Sequence, residues 1–195
     1  ENKRNFHWDL EFPEVFIDLE NTAWRDDGGF DAVIGNPPWL MAGYYEDETL
    51  GYFRKKYYSA TKKFDLYYLF LERSTSLISE EKIIGLIVPN KFFHTRAAKN
   101  LRELLFENRL IDRVVDFKEQ QLFGGATNYS CIVFLNNNDK AKFSYIESKK
   151  NLIKVKKYSL NFFVKGSSYN FFNLFESDLH LFGIKDKAPL FLFGT

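Results

Sequence analysis

The sequence predicts an α/β fold whose sheet is mostly parallel, with an antiparallel strand near 129–135. Short apolar runs alternate with segments of helical periodicity, which is the order expected of strand–helix units in a parallel sheet. The run IIGLIV at 83–88 is apolar on both faces, as a strand covered on both sides is. The connection KEQQLFGGATN before residue 129 is too short for a comfortable crossover helix, so the strand that follows is expected to turn back on its neighbour.

The elements follow one another in a simple order. Strands are predicted at 30–34, 83–88, 111–117 and 129–135, and one or two more at 142–146 and 152–155. A helix is predicted over 62–79, where apolar residues recur near one face. A second helix is predicted over 95–108, with Thr95 as its N-terminal cap.

The composition indicates a globular domain with an aromatic core. The chain has 195 residues, of which 45% are apolar, and it contains 22 Phe and 11 Tyr. The formal net charge of +1 gives no overall basic signature of nucleic-acid binding. Cys131 is the only cysteine and lies in an apolar run, which favours a buried small residue over a nucleophile. His7, His94 and His180 lie too far apart for zinc-ligand spacing, so no metal site is predicted.

The two ends of the chain predict that it is part of a longer protein. It begins with ENKRNFHWDLEF, without an initiator Met or a signal peptide, and it stops in the apolar stretch APLFLFGT. No apolar run approaches membrane-spanning length, and a cytoplasmic location is expected.

The tetrapeptide NPPW at 36–39 follows the strand predicted at 30–34 and is the main functional signal. Proline fixes its φ angle and donates no backbone hydrogen bond, so the strand must end there. Ligands of open α/β sheets bind at the carboxyl ends of the strands. The Asn36 amide oxygen, the Pro37 carbonyl and the face of Trp39 together suit a planar ring that bears an exocyclic amino group. An isolated NPP tripeptide would still be read as an ordinary loop with Trp in the core.

Four segments in fixed order strengthen this interpretation: DAVIGNPPW, FDLYYLFLERS at 64–74, GLIVPNKFF at 85–93 and LFGGATNYSCIVFL at 122–135. Over about residues 6–136 the chain resembles the gamma-class adenine-N6 DNA methyltransferases found in type IIG restriction–modification enzymes. The family usually has Tyr where Trp39 stands, so stacking is kept and the hydroxyl is lost. The resemblance implies the catalytic half of a Rossmann-like methyltransferase sheet, bacterial or archaeal in origin.

The resemblance also implies roles for particular residues. Asn36 and the Pro37 carbonyl would accept hydrogen bonds from the amino group of an adenine flipped out of double-stranded DNA, and Trp39 would stack on that base. Pro38 and Phe123 would be further substrate-binding residues; for Phe123, core packing is the alternative.

The implied cofactor is S-adenosylmethionine. Asp65, Leu66 and Tyr68 would line its adenine pocket, although Asp65 is also what a helix N-terminus favours. The family's glycine-rich cofactor loop precedes NPPW, but no G-x-G occurs in this chain. The isolated chain is therefore expected to bind cofactor poorly, to be inactive, and to expose the edge of strand 30–34.

The predicted organisation has three parts, and their partners would be the upstream and downstream domains of the parent chain. Residues 1–28 form a lead-in segment, 29–148 the catalytic part, and 149–195 the start of a recognition-side region. Two other functions stay open: methylation of a glutamine amide in a protein, which uses a similar Asn-Pro-Pro-aromatic turn, and a DNA-binding or structural segment without catalysis.

Overall fold

The fold was analysed in a computed structural model that describes residues 6–120, 122, 129–137, 142–149 and 152–159. The lead-in contains two short helices, α1 (Trp8–Glu11) and α2 (Pro13–Phe16), and a small antiparallel pair, β1 (Ile17–Asp18) and β2 (Ala23–Trp24). The rings of Trp8, Phe12 and Phe16 contact that of Phe30 at centroid distances of 5.7, 5.4 and 5.4 Å. These contacts hold the lead-in against the first strand of the main sheet.

The main sheet has six strands in the described part of the chain. They are β3 (Phe30–Gly35), β4 (Ile78–Pro89), β5 (Ile111–Asp116), β6 (Ser130–Leu135), β7 (Lys142–Lys149) and β8 (Leu152–Ser159), arranged in the order β3-β4-β6-β5-β7-β8. The pairs β3–β4 and β5–β7 are parallel, whereas β6 is antiparallel to both β4 and β5. Four of the six strands thus share one direction, and β6 and β8 run the other way. The prediction of a mostly parallel sheet with a reversed strand near 129–135 is confirmed. β3 lies at one edge of this sheet, as expected.

Three helices of nine or ten residues connect these strands: α3 (Asp47–Lys56), α4 (Leu66–Thr75) and α5 (Lys99–Glu107). Single 3₁₀ turns lie at Ala42–Tyr44, Asn90–Phe93 and Arg96–Ala98. No helix among the described residues is long and apolar enough to cross a membrane. Much of the core is aromatic, as the composition predicts, and its largest fully buried side chains include Phe64, Tyr67, Tyr68, Phe92, Phe106, Phe143 and Tyr145.

Two helix boundaries differ from the prediction. The helix predicted over 62–79 spans only 66–75. At its C-terminal end the Ser76 hydroxyl donates to the Arg73 carbonyl, and Ile78 already pairs with Phe30 of β3. β4 therefore begins five residues before the strand predicted at 83–88, and a register shift in its pairing with β3 accompanies Glu81, whose φ is 59°. Local periodicity cannot show this because the pairing partner lies about 50 residues away.

The helix predicted over 95–108 is also shorter, and its predicted cap is wrong. The α-helix begins at Lys99, after the 3₁₀ turn, and the Thr95 side chain makes no capping hydrogen bond. Instead, Arg102 Nη1 donates to the carbonyls of Phe92 and Thr95 at 2.6 and 2.7 Å. These bonds hold the chain in a tight turn where the helix would otherwise start.

Gly29 joins the lead-in to β3 and is required by its backbone geometry. Its φ is +144°, and a Cβ there would lie 2.4 Å from the Ser79 nitrogen. We predict that Gly29→Ala lowers the free energy of unfolding by about 1–3 kcal/mol, the usual cost of forcing a side chain into such a conformation. Gly51→Ala is the matched control, because Gly51 lies inside α3 with no atom within 4 Å of the added Cβ. The control should stabilise by roughly 0.5–1 kcal/mol. Urea unfolding measures both, and equal stabilities would contradict the assignment.

Candidate active site

The functional side chains predicted from the sequence lie at one edge of the sheet. Gly35 at the end of β3 pairs with Leu86, and β4 continues three residues further to Pro89. Because β6 runs the other way, its first residue, Ser130, lies beside Pro89 at the same edge. The carboxyl ends of β3, β4 and β5 therefore meet the amino end of β6 here, and we call this the carboxyl edge.

The NPPW turn leaves β3 at the carboxyl edge with the Asn36 side chain exposed. Asn36 and Pro38 are exposed, Pro37 is buried, and Trp39 is partly buried. No described residue forms a hydrogen bond with the Asn36 carboxamide or donates one to the Pro37 carbonyl. The turn thus offers two adjacent oxygen acceptors beside an aromatic ring.

Backbone hydrogen bonds immediately after the turn fix its position. Leu66 N donates to the Leu40 carbonyl at 2.8 Å, and Ala42 N donates to the Phe64 carbonyl at 2.9 Å. Met41 and Asp65 form an isolated antiparallel bridge between these bonds. The prolines cannot donate, so this bridge anchors the turn to the start of α4.

Asp65 lies at the N-cap position of α4, which agrees with the prediction of an acidic residue at a helix N-terminus. Its side chain makes no capping hydrogen bond. The Lys91 ammonium lies 3.0 Å from Asp65 Oδ2, and the Asp65 side chain is only 7% exposed. The other carboxylate oxygen, Oδ1, is buried without a hydrogen-bond partner. A buried acceptor of this kind is costly unless a donor reaches it, so it fits the hydroxyl or amino group of a bound molecule.

The other two residues predicted for the cofactor pocket lie beneath the turn. Leu66 and Tyr68 are 5% and 1% exposed. The Tyr68 hydroxyl lies 3.5 Å from Thr95 Oγ1, and burial raises the pKa of Tyr68 to about 12. Both are buried in the first turn of α4, directly after Asp65, and their contact with a cofactor stays a prediction.

A buried polar cluster at the carboxyl edge was missed by the sequence analysis. It consists of Asn90, Asp116, Lys118, Tyr145 and Glu147, and we call it the Asp116 cluster. Asp116 Oδ1 accepts from Asn90 Nδ2 at 3.0 Å and from Lys118 N at 2.9 Å. Asp116 Oδ2 accepts from the Tyr145 hydroxyl and lies 3.3 Å from Lys118 Nζ, which also pairs with Glu147 at 3.1 Å. Burial and the Asp116 carboxylate raise the pKa of Tyr145, which keeps its phenol protonated.

The sequence holds only a partial signal for this cluster. Asp116 ends a strand and Asn90 follows one, so both were positioned to reach the carboxyl edge. Asn90 and Tyr145 lie 26 and 29 positions from Asp116 along the chain, so local pattern could not show that these side chains meet.

Phe123 lies outside the described residues. Its neighbour Leu122 and the residue Tyr129 before β6 are 43% and 46% exposed. Leu122 and Tyr129 are thus exposed apolar side chains in the part of this connection that the structure describes, and the role of Phe123 stays a prediction.

Cys131 is fully buried in β6, and burial raises the pKa of its thiol well above the ordinary value. The prediction of a buried structural cysteine is confirmed. A buried, protonated thiol is a poor nucleophile, so this side chain is not suited to covalent catalysis.

Comparison with known proteins identifies close relatives of most of the chain. The family model described as Eco57I restriction-modification methylase matches residues 1–123. The type II restriction enzyme and methyltransferase RM.Eco57I of Escherichia coli is 37% identical over 123 residues, covering 62% of this chain and 12% of the relative. The type II methyltransferase M.BstVI of Geobacillus stearothermophilus is 31% identical over 132 residues, covering 64% of this chain and 24% of the relative. The chain thus spans between an eighth and a quarter of the length of these relatives.

The fold comparison agrees with the sheet described above. The type IIG restriction endonuclease BpuSI superimposes with a TM-score of 0.53 at 14% identity, covering 68% of this chain and 19% of that structure. This similarity supports the α/β fold of the chain.

Proposed function

The chain belongs to the Eco57I restriction-modification methylase family, and from that premise we propose that it is the catalytic part of a DNA methyltransferase. The reaction is transfer of a methyl group from S-adenosylmethionine to N6 of adenine at a specific DNA site. The parent is a restriction–modification protein of the bacterial or archaeal cytoplasm. The relatives named above, a restriction enzyme and methyltransferase and a type II methyltransferase, support this class of activity.

The observation that carries the proposal is the pair of acceptors in the NPPW turn. The exocyclic nitrogen of adenine is a poor nucleophile because its lone pair is delocalised into the ring. Two hydrogen-bond acceptors, Asn36 Oδ1 and the Pro37 carbonyl, match its two N–H bonds. When both are engaged, the nitrogen is drawn toward tetrahedral geometry and its lone pair is localised. The rigid turn holds these acceptors in place before the base arrives, which is the usual source of catalytic electrostatic stabilisation.

Trp39 supplies the second part of the base site. Base–aromatic stacking contributes about 1–3 kcal/mol per base and requires an accessible ring face. The indole directly follows the two prolines and is partly exposed. It would stack on an adenine extruded from the duplex, with Pro38 beside it and Phe123 as a further contact.

The start of α4 fits a part of the cofactor. The buried Asp65 Oδ1 without a donor is suited to a ligand hydroxyl or amino group, and the buried Leu66 and Tyr68 follow it in the first turn of α4. S-adenosylmethionine, when bound, supplies a methyl group on a sulfonium leaving centre. The chain's own contribution is to orient N6 and to accept hydrogen bonds from it. Correct positioning of two reacting groups can by itself raise the reaction rate by a large factor.

Substitution of Asn36 tests the proposed chemistry. In the full-length protein, Asn36→Ala should slow adenine methylation by about 10²–10³-fold, the usual effect of removing one such preorganised contact. Mass spectrometry of nucleosides from methylated DNA measures the N6-methyl product. Asn108→Ala is the control, since Asn108 is exposed at the C-terminal end of α5, near the opposite edge of the sheet. Undiminished methylation by a folded Asn36→Ala protein would exclude the role, and methyl label on protein glutamine would favour the alternative enzyme class.

Substitution of Trp39 tests the stacking. Trp39→Ala should weaken binding to DNA whose target adenine lies opposite an abasic site by roughly 5- to 150-fold, the equivalent of one stacking contact. Binding to fully paired DNA should change less, because there the base remains inside the duplex. Trp39→Tyr should restore most of the affinity, since a ring face is kept. If Tyr and Ala are equally damaging in fluorescence-anisotropy titrations, Trp39 is a packing residue.

The isolated chain should show little cofactor binding and no methyl transfer. The resemblance implies a glycine-rich loop for close backbone approach to the cofactor, and the sequence contains no G-x-G. Calorimetric titration of the purified chain with S-adenosylmethionine measures this directly. Micromolar affinity would show that the cofactor site lies within these residues.

A further inference from the structure

The Asp116 cluster combines two features that disfavour stability. Asp116 is a buried carboxylate, 1% exposed, and Lys118 adopts a left-handed backbone with φ of 53°. A buried ion pair often stabilises less than apolar residues of the same volume, and left-handed backbone is costly outside glycine. Features of this kind concentrate at functional sites, and this pair lies at the carboxyl edge.

The cluster determines which way the Asn90 carboxamide faces. Asp116, beside the Lys118 ammonium, acts as an acceptor, so the group that Asn90 presents to it at 3.0 Å must be the NH₂. The Asn90 oxygen therefore points away from Asp116. No described residue donates a hydrogen bond to this oxygen, and it is not among the buried polar atoms without a partner. The residue as a whole is 8% exposed, so a ligand can reach only a small part of it.

Asn90 and Asn36 lie on neighbouring strands that end at the same edge. Asn36 follows Gly35, the last residue of β3, which pairs with Leu86 of β4. Asn90 follows Pro89, the last residue of β4. Asn90 N is held by the Tyr129 carbonyl at 2.9 Å, which fixes the backbone as well as the side chain. The edge thus presents a second carboxamide oxygen, and this one is locked.

We propose that Asn90 Oδ1 accepts a hydrogen bond from an amino group of a ligand bound at the carboxyl edge, and that Asp116 is the positioning residue that fixes the carboxamide for this contact. The inference rests on the proposed function, in which both the nucleic-acid bases and the cofactor carry amino groups. A carboxamide turned the other way would present its own NH₂ to that amino group and repel it. Asp116 excludes that orientation.

Steady-state methylation by the full-length protein tests the inference in Asn90→Ala, Asp116→Asn and the double variant. Asn90→Ala should raise one KM about five- to tenfold, the effect of one hydrogen bond, with kcat unchanged. A rise in the KM for DNA assigns the amino group to a base, and a rise in the KM for S-adenosylmethionine assigns it to the cofactor. Asp116→Asn should raise the same KM, because the carboxamide can then flip. The double variant should be no worse than Asn90→Ala, since Asp116 acts through Asn90.

Asn136→Ala is the matched control, because Asn136 is also buried, at 7% exposure, but follows β6 at the opposite edge of the sheet. Its KM values should equal those of the unaltered protein. Unchanged KM values in Asn90→Ala, with or without a lowered Tm, would overturn the inference. A double variant whose KM rises by the product of the two single-variant factors would also overturn it, because the two residues would then act independently. A parent protein that methylates no adenine in DNA would overturn the proposed function itself, and this inference with it.

Discussion

The arrangement of the site depends on the way the chain leaves β3. Two consecutive prolines remove the backbone donors that would continue the pairing with β4, so the strand ends while β4 runs on. The residues that follow anchor the turn instead: Leu66 N donates to the Leu40 carbonyl and Ala42 N donates to the Phe64 carbonyl, on either side of the Met41–Asp65 bridge. The turn is thus rigid at both ends while the oxygens of Asn36 and Pro37 stay without donors among the described residues. An acceptor pair that needs no reorganisation is what an amino-group nucleophile requires.

The same edge shows how polar groups are held in an aromatic core. The Asp65–Lys91 pair at 3.0 Å links the start of α4 to the turn after β4. The Asp116 cluster links the ends of β4 and β5 to β7. The Asp65 carboxylate therefore joins two connecting segments, whereas the Asp116 carboxylate joins the ends of strands that backbone pairing already holds in one sheet.

Much of this organisation could be predicted from the sequence, because it depends on local pattern. Apolar runs located β3, β5 and β6, and the short connection before residue 129 predicted the reversed strand. Two prolines after a strand located the turn. The features that could not be predicted depend on contacts between residues distant along the chain. The start of α5 depends on the hydrogen bond from Arg102 to the Phe92 carbonyl, and the early start of β4 depends on its pairing with β3. The helix α3 was missed although its signal was available, with acids in its first turn and Arg54, Lys55 and Lys56 in its last.

The central claim is that Asn36 and Pro37 hold the amino group of an adenine. A structure of the full-length protein with its DNA site and a non-reactive cofactor analogue tests this most directly. The account predicts an extruded adenine whose N6 lies about 2.7–3.2 Å from both Asn36 Oδ1 and the Pro37 carbonyl oxygen. An adenine that remains stacked in the duplex, or a base bound away from this turn, would contradict it.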